Sequence, residues 1–156
     1  MNKDNGNIVA GAVGALLFAL IGGVLYFILY QIGIIAGICG LVIFILANFG
    51  YGLFAKSGKN SIAGLISAIV SMIIVIFVAE YICVSYEIYD AFKDAQITIF
   101  DAIKATPDFL AESEVKSAFI KDLVFAYGFG FLATIGNIIN IVKARKTAVS
   151  DTEQGA

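Results

Sequence analysis

The first third of the chain contains a long apolar stretch without a charged residue, from position 8 to position 54. The nearest charges are Asp4 before it and Lys56 after it. A helix that spans a bilayer needs about 20 mostly apolar residues, so this stretch is long enough for two spans that meet near Gln31. Only 14% of the 156 residues are charged and mean hydropathy is +0.95, values too apolar for an ordinary soluble domain. The sequence therefore predicts a membrane hairpin in a lipid-embedded protein.

Four segments qualify as spans, namely residues 8–30, 32–54, 62–92 and 118–143. None shows the apolar and polar alternation of a barrel strand, and only helices or closed barrels satisfy the backbone in lipid. A helix over residues 62–92 would measure about 46 Å against a hydrocarbon core of about 30 Å, so its last turns should protrude. We expect an all-α, four-helix transmembrane bundle formed by residues 1–156 as one domain, with a polar, disordered tail at 147–156.

The connection between the third and fourth spans, residues 93–117, has helical signals of its own. Thr98 and Asp101 have the spacing of a capping box. Thr106 followed by Pro107 predicts a second short helix that begins at the proline, where a missing N–H costs nothing. We expect an amphipathic outer segment that lies on the headgroups or covers the bundle.

The distribution of charge predicts the orientation. Four spans place both termini and the connection between the second and third spans on one side, and this side holds Lys3, Lys56, Lys59, Lys143, Arg145 and Lys146. The stretch from the protruding end of the third span to the fourth span, residues 87–116, instead holds seven acids against three lysines: Glu87, Asp90, Asp94, Asp101, Asp108, Glu112 and Glu114 against Lys93, Lys104 and Lys116. The positive-inside rule then predicts cytoplasmic termini and an extracytoplasmic segment 93–117 in a cell membrane, by our interpretation a bacterial inner membrane.

Tyrosines occur near the expected ends of the spans, as in an aromatic belt. By this interpretation Tyr26, Tyr30, Tyr81, Tyr86 and Tyr127 lie at the outer interface and Tyr51 lies at the inner one.

Small residues recur at four-residue spacing or close to it in the spans. The candidate packing ridge consists of Gly11, Ala15, Ala19 and Gly23 in the first span, Gly33, Gly37 and Gly40 in the second, and Ala126 and Gly130 in the fourth. Small residues allow close helix approach in lipid, where van der Waals contact drives association. The spacing leaves open whether the partner is a neighbouring helix, a second copy of the chain or another membrane protein.

Glu80, near the outer end of the third span, is the ionisable residue that comes closest to membrane depth. Burying such a group without a partner costs several kcal/mol, and Lys121 opens the fourth helix at the same level, so we predict an ion pair between the two. Glu80 shares a predicted acidic helix face with Glu87, Asp90 and Asp94. A structural anchor and a cation or proton site of a transporter both fit Glu80, and a solvated surface fits the other three.

Catalytic and metal chemistry find no support in the sequence. The chain has no His, and neither the paired aspartates nor the partnered serine of an intramembrane protease occurs at membrane depth. Cys39 and Cys83 lie in apolar runs without metal-ligand spacing, and buried thiols and a disulfide near the outer face both stay open. We expect no enzyme, no cofactor or metal, and no nucleic-acid partner, because there is no basic patch.

The arrangement of four spans with a larger segment between the third and fourth is similar to the topology of tetraspanins. The tetraspanin outer loop carries a Cys-Cys-Gly signature, however, and residues 93–117 contain no cysteine. The glycine-rich hairpin with Phe49-Gly-Tyr51, followed by Glu87-Ile-Tyr89 and Asp101-Ala-Ile-Lys104-Ala-Thr-Pro107, resembles a group of small bacterial four-span membrane proteins without an assigned activity. This resemblance implies a fold and no particular chemistry.

The sequence leaves two hypotheses for function. The leading one is a non-enzymatic interaction, scaffold or accessory subunit in the membrane, which works through its small-residue ridges and its acidic outer surface. The alternative is a small-solute or ion transporter or channel, oligomeric, with Glu80 as its binding or coupling site.

Overall fold

The computed structural model describes residues 7–33, 36–56 and 61–154, and every regular element within them is helical. The helices are α1 (Ile8–Gln31), α2 (Ala36–Ala55), α3 (Ile62–Phe92), α4 (Ile99–Phe109) and α5 (Ser113–Gln154), with a 3-10 turn at Lys93–Ala95. The helices α1, α2, α3 and α5 are long and apolar enough to cross a membrane. The predicted all-α, four-helix transmembrane bundle is confirmed, and the protein is a multi-pass membrane protein.

The ends of the spans follow local capping rules. The Asn7 side chain accepts a hydrogen bond from the Ala10 N–H at 3.1 Å, and the Ser61 hydroxyl accepts one from the Gly64 N–H at 2.9 Å. These contacts satisfy N–H groups that a helix leaves free at its N-terminus.

Two of the basic residues used to predict orientation, Lys3 and Lys59, lie outside the described residues.

Gly33 lies in the turn after α1 and not in a packing ridge. Its φ of +77° suits glycine, and its N–H donates to the Tyr30 carbonyl at 3.0 Å. A Cβ added to Gly33 would meet no atom within 4 Å. Its assignment to the ridge is therefore wrong, because the left-handed backbone ends the helix before a helix surface could form there.

The remaining ridge residues of α1 pack inside the bundle. Ala15 and Ala19 are fully buried, while Gly11 lies against Tyr51 of α2 and Gly23 lies against Val75 of α3. A four-residue repeat drifts around a helix with 3.6 residues per turn by about 40° per step. The row therefore turns from one neighbour toward the other along α1.

Close backbone contacts also join α2 to α5. A Cβ added to Gly40 would overlap the Ala126 carbonyl, and one added to Gly37 would come within 2.6 Å of the Phe129 ring. On its other side α5 meets α3, where Gly130 faces the Met72 sulfur. The helices α2 and α3 thus each contact both α1 and α5.

Beyond the spans, the last turns of α3, helix α4 and the start of α5 form a small packed unit, here called the α3–α4 module. Its apolar centre consists of Val84, Ile88, Ala102 and Phe119, all less than 9% exposed. The predicted capping box begins α4, since the Thr98 hydroxyl accepts from the Asp101 N–H and the Asp101 carboxylate accepts from the Thr98 N–H.

Pro107 lies inside α4 and does not begin a second short helix, so that prediction is wrong. The ring removes the N–H that would bond the carbonyl four residues earlier, that of Ile103. Tyr81 of α3 supplies the missing donor, because its hydroxyl donates to the Ile103 carbonyl at 2.9 Å. Beside it, the hydroxyls of Ser85 and Thr106 bond each other at 2.7 Å. A tertiary contact therefore allows the helix to continue through its proline.

The fourth span belongs to a helix that is longer than expected, since α5 runs for 42 residues to Gln154. The prediction of a disordered tail from residue 147 is thus wrong up to Gln154. The physical reason is cooperativity, because extending an existing helix needs no new nucleus. Residues 155 and 156 lie outside the described part.

Candidate functional site

Glu80 is the most unusual residue of the bundle because it is a carboxylic acid with no solvent exposure at all. It lies on α3, eighteen positions after the first residue of that helix, Ile62. At about 1.5 Å per residue this places it about 27 Å along the span, near one boundary of the hydrocarbon core. Its side chain is directed into the protein and does not extend the acidic face that the sequence predicted.

Tyr26 of α1 is the hydrogen-bond partner of Glu80. Its hydroxyl donates to Glu80 Oε2 at 2.5 Å, and its side chain is also fully buried. The other carboxyl oxygen, Oε1, is buried and has no hydrogen-bond partner among the described residues. One oxygen of a membrane-depth carboxyl is therefore satisfied and the other is not, which is costly in a protein interior.

The predicted ion pair between Glu80 and Lys121 is absent. Lys121 is exposed on α5, eight residues after the first residue of that helix, and Glu80 bonds Tyr26 of α1 instead. The two residues do not share a face, because Glu80 turns toward α1.

Acidic groups surround Glu80. Asp122 of α5 and Glu87 of α3 are close enough to interact with it electrostatically, and so is the buried Cys83 thiol. No basic side chain in the described residues interacts with Glu80 in this way. The site therefore holds an acid without a counter-charge.

A second contact of the same kind lies next to the first. Tyr30 of α1 donates its hydroxyl to Glu87 Oε1 of α3 at 2.9 Å, in an exposed position. The rings of Tyr26 and Tyr30 stack with centroids 6.4 Å apart. Two tyrosine–glutamate hydrogen bonds thus join α1 to α3. The inner bond is buried, and the outer bond is exposed to solvent.

The sequence missed both tyrosine–glutamate bonds, because it assigned Tyr26 and Tyr30 to an aromatic belt. Tyr26 faces the interior, as does Tyr51, which is only 2% exposed, so the belt assignment is wrong for these two. The spacing of these residues could have indicated that two such bonds form between the same two helices. Tyr26 and Tyr30 are one helical turn apart and Glu80 and Glu87 are two turns apart, so each pair occupies one helix face.

Only the outer part of the predicted acidic face is present, because Glu80 is buried, and two of the remaining carboxylates have partners. Glu87, Asp90 and Asp94 are all exposed at the end of α3. Glu87 accepts from Tyr30, and Asp90 pairs with Lys93 at 3.0 Å. Within the described residues there is no group of three or more carboxylate, thiol or imidazole side chains that could hold a metal ion.

The two cysteines are free, buried thiols, on α2 and α3. The alternative of a disulfide is therefore contradicted. Cys83 is fully buried one turn after Glu80, where it contributes to the packed surroundings of the carboxyl.

A groove of about 230 Å³ runs along the outside of the bundle between α1 and α3, with an apolar lining. Its walls include Gly23, Phe27 and Val75, whereas neither Tyr26 nor Glu80 contributes to them. The groove therefore offers no polar access to the buried carboxyl.

No protein-family model matches the chain, and comparison with curated proteins and with solved structures finds no match either.

Proposed function

We propose that the chain is a non-enzymatic membrane protein that binds a protein partner, as an accessory or scaffold subunit, through its α3–α4 module. The observation that carries this proposal is the exposure of Phe100, which is 71% exposed on a helix whose opposite face is docked on α3. A large exposed aromatic side chain on a rigid element is a typical anchor of a protein interface.

The inner surfaces of the bundle support this choice of binding surface. The small-residue ridges of α1 and α2 are used against neighbouring helices of the same chain, as the contacts of Gly11 and Gly40 show. Interaction through those ridges would therefore require the bundle to open. The α3–α4 module remains free, and it carries the acidic residues Glu87, Asp94 and Asp108 around its surface.

The orientation of the module belongs to the same proposal. The lysine and arginine distribution favours cytoplasmic termini, so the α3–α4 module faces the extracytoplasmic side of a cell membrane. A partner there would be a membrane protein with a basic or aromatic surface, since acidic rims select complementary charge. Single-cysteine labelling at exposed Phe100, in a background without Cys39 and Cys83, tests this orientation.

The proposal is tested by site-specific photocrosslinking in native membranes. A photoreactive phenylalanine at position 100 is expected to give a discrete protein adduct. The same probe at Phe109, a phenylalanine of α4 that packs against the apolar centre of the module, is the matched control and gives none. Crosslinks from position 100 to lipid alone would contradict a protein-binding role for the module.

A second candidate is a transporter or channel for a small solute or an ion. The observation that favours it is the unpartnered Oε1 of Glu80, since a buried carboxyl in a span is a common binding or coupling group. Flux across proteoliposomes that is lost in Glu80→Gln and retained in Glu87→Gln would support this candidate. Absence of flux from the wild-type protein would contradict it.

A further inference from the structure

We propose that the Glu80 carboxyl is a proton-binding site, held between α1 and α3, that carries its proton while these two helices are in contact. The ligand is the proton itself, and the Tyr26 hydroxyl positions the carboxyl that binds it. This inference goes beyond the partner-binding role of the α3–α4 module, which does not use Glu80.

The first argument is the geometry of the two carboxyl oxygens. Tyr26 donates to Oε2, and Oε1 lacks any hydrogen-bond partner among the described residues although it is fully buried. An ionised carboxylate spreads its charge over both oxygens and needs donors or a cation at each. A neutral carboxylic acid leaves a far smaller deficit, because desolvating a dipole costs much less than desolvating a charge.

The second argument is the chemistry of every helix packed around the carboxyl. The titratable groups that interact with Glu80, or with its neighbour Cys83, are Tyr26 and Tyr30 on α1, Cys39 on α2, Cys83 and Glu87 on α3, and Asp122 on α5. All of them are neutral or negative. Lys121, which precedes Asp122 on α5, is exposed. Negative neighbours disfavour a second negative charge, so they act in the same direction as burial.

The third argument is the contrast between the protonated and the ionised carboxyl group in the same contact. Binding converts Glu80–COO⁻ and H⁺ into Glu80–COOH, with the proton on Oε1 because Oε2 already accepts from Tyr26. Release leaves a negative charge in a contact that has no cation and no donor for Oε1 in the described residues. Water or a cation must then reach Oε1, which requires α1 and α3 to separate around Tyr26. Proton occupancy is thus linked to the closed contact.

The test is infrared spectroscopy of the wild-type protein in proteoliposomes at pH 7. We expect a carboxylic acid C=O stretching band, which ionised carboxylates lack. Labelling the protein with glutamate that carries ¹³C in its side-chain carboxyl should shift this band to lower frequency, which assigns it to a glutamic acid without any substitution. Glu80→Gln should remove the band, whereas the matched variant Glu87→Gln should leave it in place.

Tyr26→Phe gives an independent readout of the positioning residue. Removing the donor to Oε2 should leave the proton on Glu80 and shift the C=O band to higher frequency, because a carbonyl freed from a hydrogen bond has a stiffer bond. Tyr30→Phe should not move it.

Two results would overturn the proposal. One is the absence, at pH 7, of a C=O band that shifts with the glutamate label, which would mean that Glu80 is ionised. The other is loss of the band on adding sodium or potassium chloride at constant pH, which would assign the site to a metal cation. Neither result depends on whether the α3–α4 module binds a partner.

Discussion

Two hydrogen bonds with the same chemistry join α1 to α3, and they differ in their access to water. Tyr26 and Glu80 are both fully buried, with a donor-to-acceptor distance of 2.5 Å. Tyr30 and Glu87 make the equivalent bond at 2.9 Å in an exposed position. The comparison shows that the identity of the hydrogen-bond partner does not by itself determine whether both oxygens of a carboxyl group have donors. Solvent can supply the missing donors of the exposed Glu87, whereas one oxygen of Glu80 has no donor in the described part of the protein.

The largest effect is expected from removing the two carboxyl groups in turn. Glu80→Ala leaves a cavity and an unpaired Tyr26 hydroxyl in the core, so it should lower the free energy of unfolding by about 2–4 kcal/mol. Glu87→Ala removes an exposed bond and should cost less than about 1 kcal/mol. Unfolding in detergent micelles, followed by circular dichroism, measures both. Because Glu80→Gln is neutral and isosteric, it should recover most of the loss, and equal losses for the two alanine variants would break the comparison.

The next effect is expected from the close packing of α2 against α5, which a glycine substitution tests. Gly40→Ala places a methyl group against the Ala126 backbone, which cannot move aside, and should cost about 1–3 kcal/mol. Gly128 on α5 has no atom within 4 Å of an added Cβ, so Gly128→Ala is the matched control and should change stability by less than about 0.5 kcal/mol. The same unfolding measurement applies. A Gly40→Ala protein as stable as the control would show that this contact is not tight.

A smaller difference is expected when the two donors are removed. Tyr26→Phe removes the hydrogen bond that Glu80 accepts from Tyr26 and should lower the free energy of unfolding by about 1–2 kcal/mol. Tyr30→Phe should cost about 0.5 kcal/mol or less, since water replaces the lost donor. The double variant then measures whether the stacked rings couple the two bonds. A larger cost for Tyr30→Phe would reverse the comparison.

The smallest effect concerns a third carboxylate, Asp101, which is exposed and accepts two hydrogen bonds from Thr98. Hydrogen bonds from the Thr98 hydroxyl and backbone N–H lower the pKa of Asp101 below its ordinary value. A lowered pKa in the folded state means that the bond stabilises α4 above about pH 4, the ordinary range of aspartate, and that this stabilisation is lost as the pH falls through the folded value.

Amide hydrogen exchange in the first turn of α4 measures this contribution. Protection factors, which correct for the slower intrinsic exchange of amides in acid, should fall in the wild-type protein as the pH is lowered. In Asp101→Asn they should already be lower at neutral pH and should depend less on pH. An identical acid response in both proteins would exclude the capping box as its origin.

Much of the fold was predictable because lipid imposes simple rules. The charge-free stretch, the four spans and the bounds of α3 at Ile62–Phe92 follow from hydropathy and length. The capping box at Thr98 was also predictable, since it depends on residues three positions apart. The errors at Gly33, Pro107 and the tail came from applying a local rule where the conformation of a turn, the hydroxyl of Tyr81 or the continuation of an existing helix decided the outcome.

The candidate site was predictable only in part. Glu80 stood out because an acid in an apolar run is costly wherever it points. Lys121 was predicted wrongly as the partner of Glu80. The sequence does not indicate how a helix is rotated about its axis, and this rotation decides which neighbour a side chain faces. A rotation of α3 by a fraction of a turn separates a face toward α5 from one toward α1.

By itself the sequence determined that this chain spans a membrane four times and that one carboxyl group lies within its apolar region, since both follow from which residues lipid tolerates. Only the tertiary structure decided that this carboxyl meets Tyr26, that one of its oxygens has no partner among the described residues and that the small-residue ridges are used within the chain. The physical reason is that burial and hydrogen bonding depend on how helices rotate and approach, and close packing of distant segments sets both.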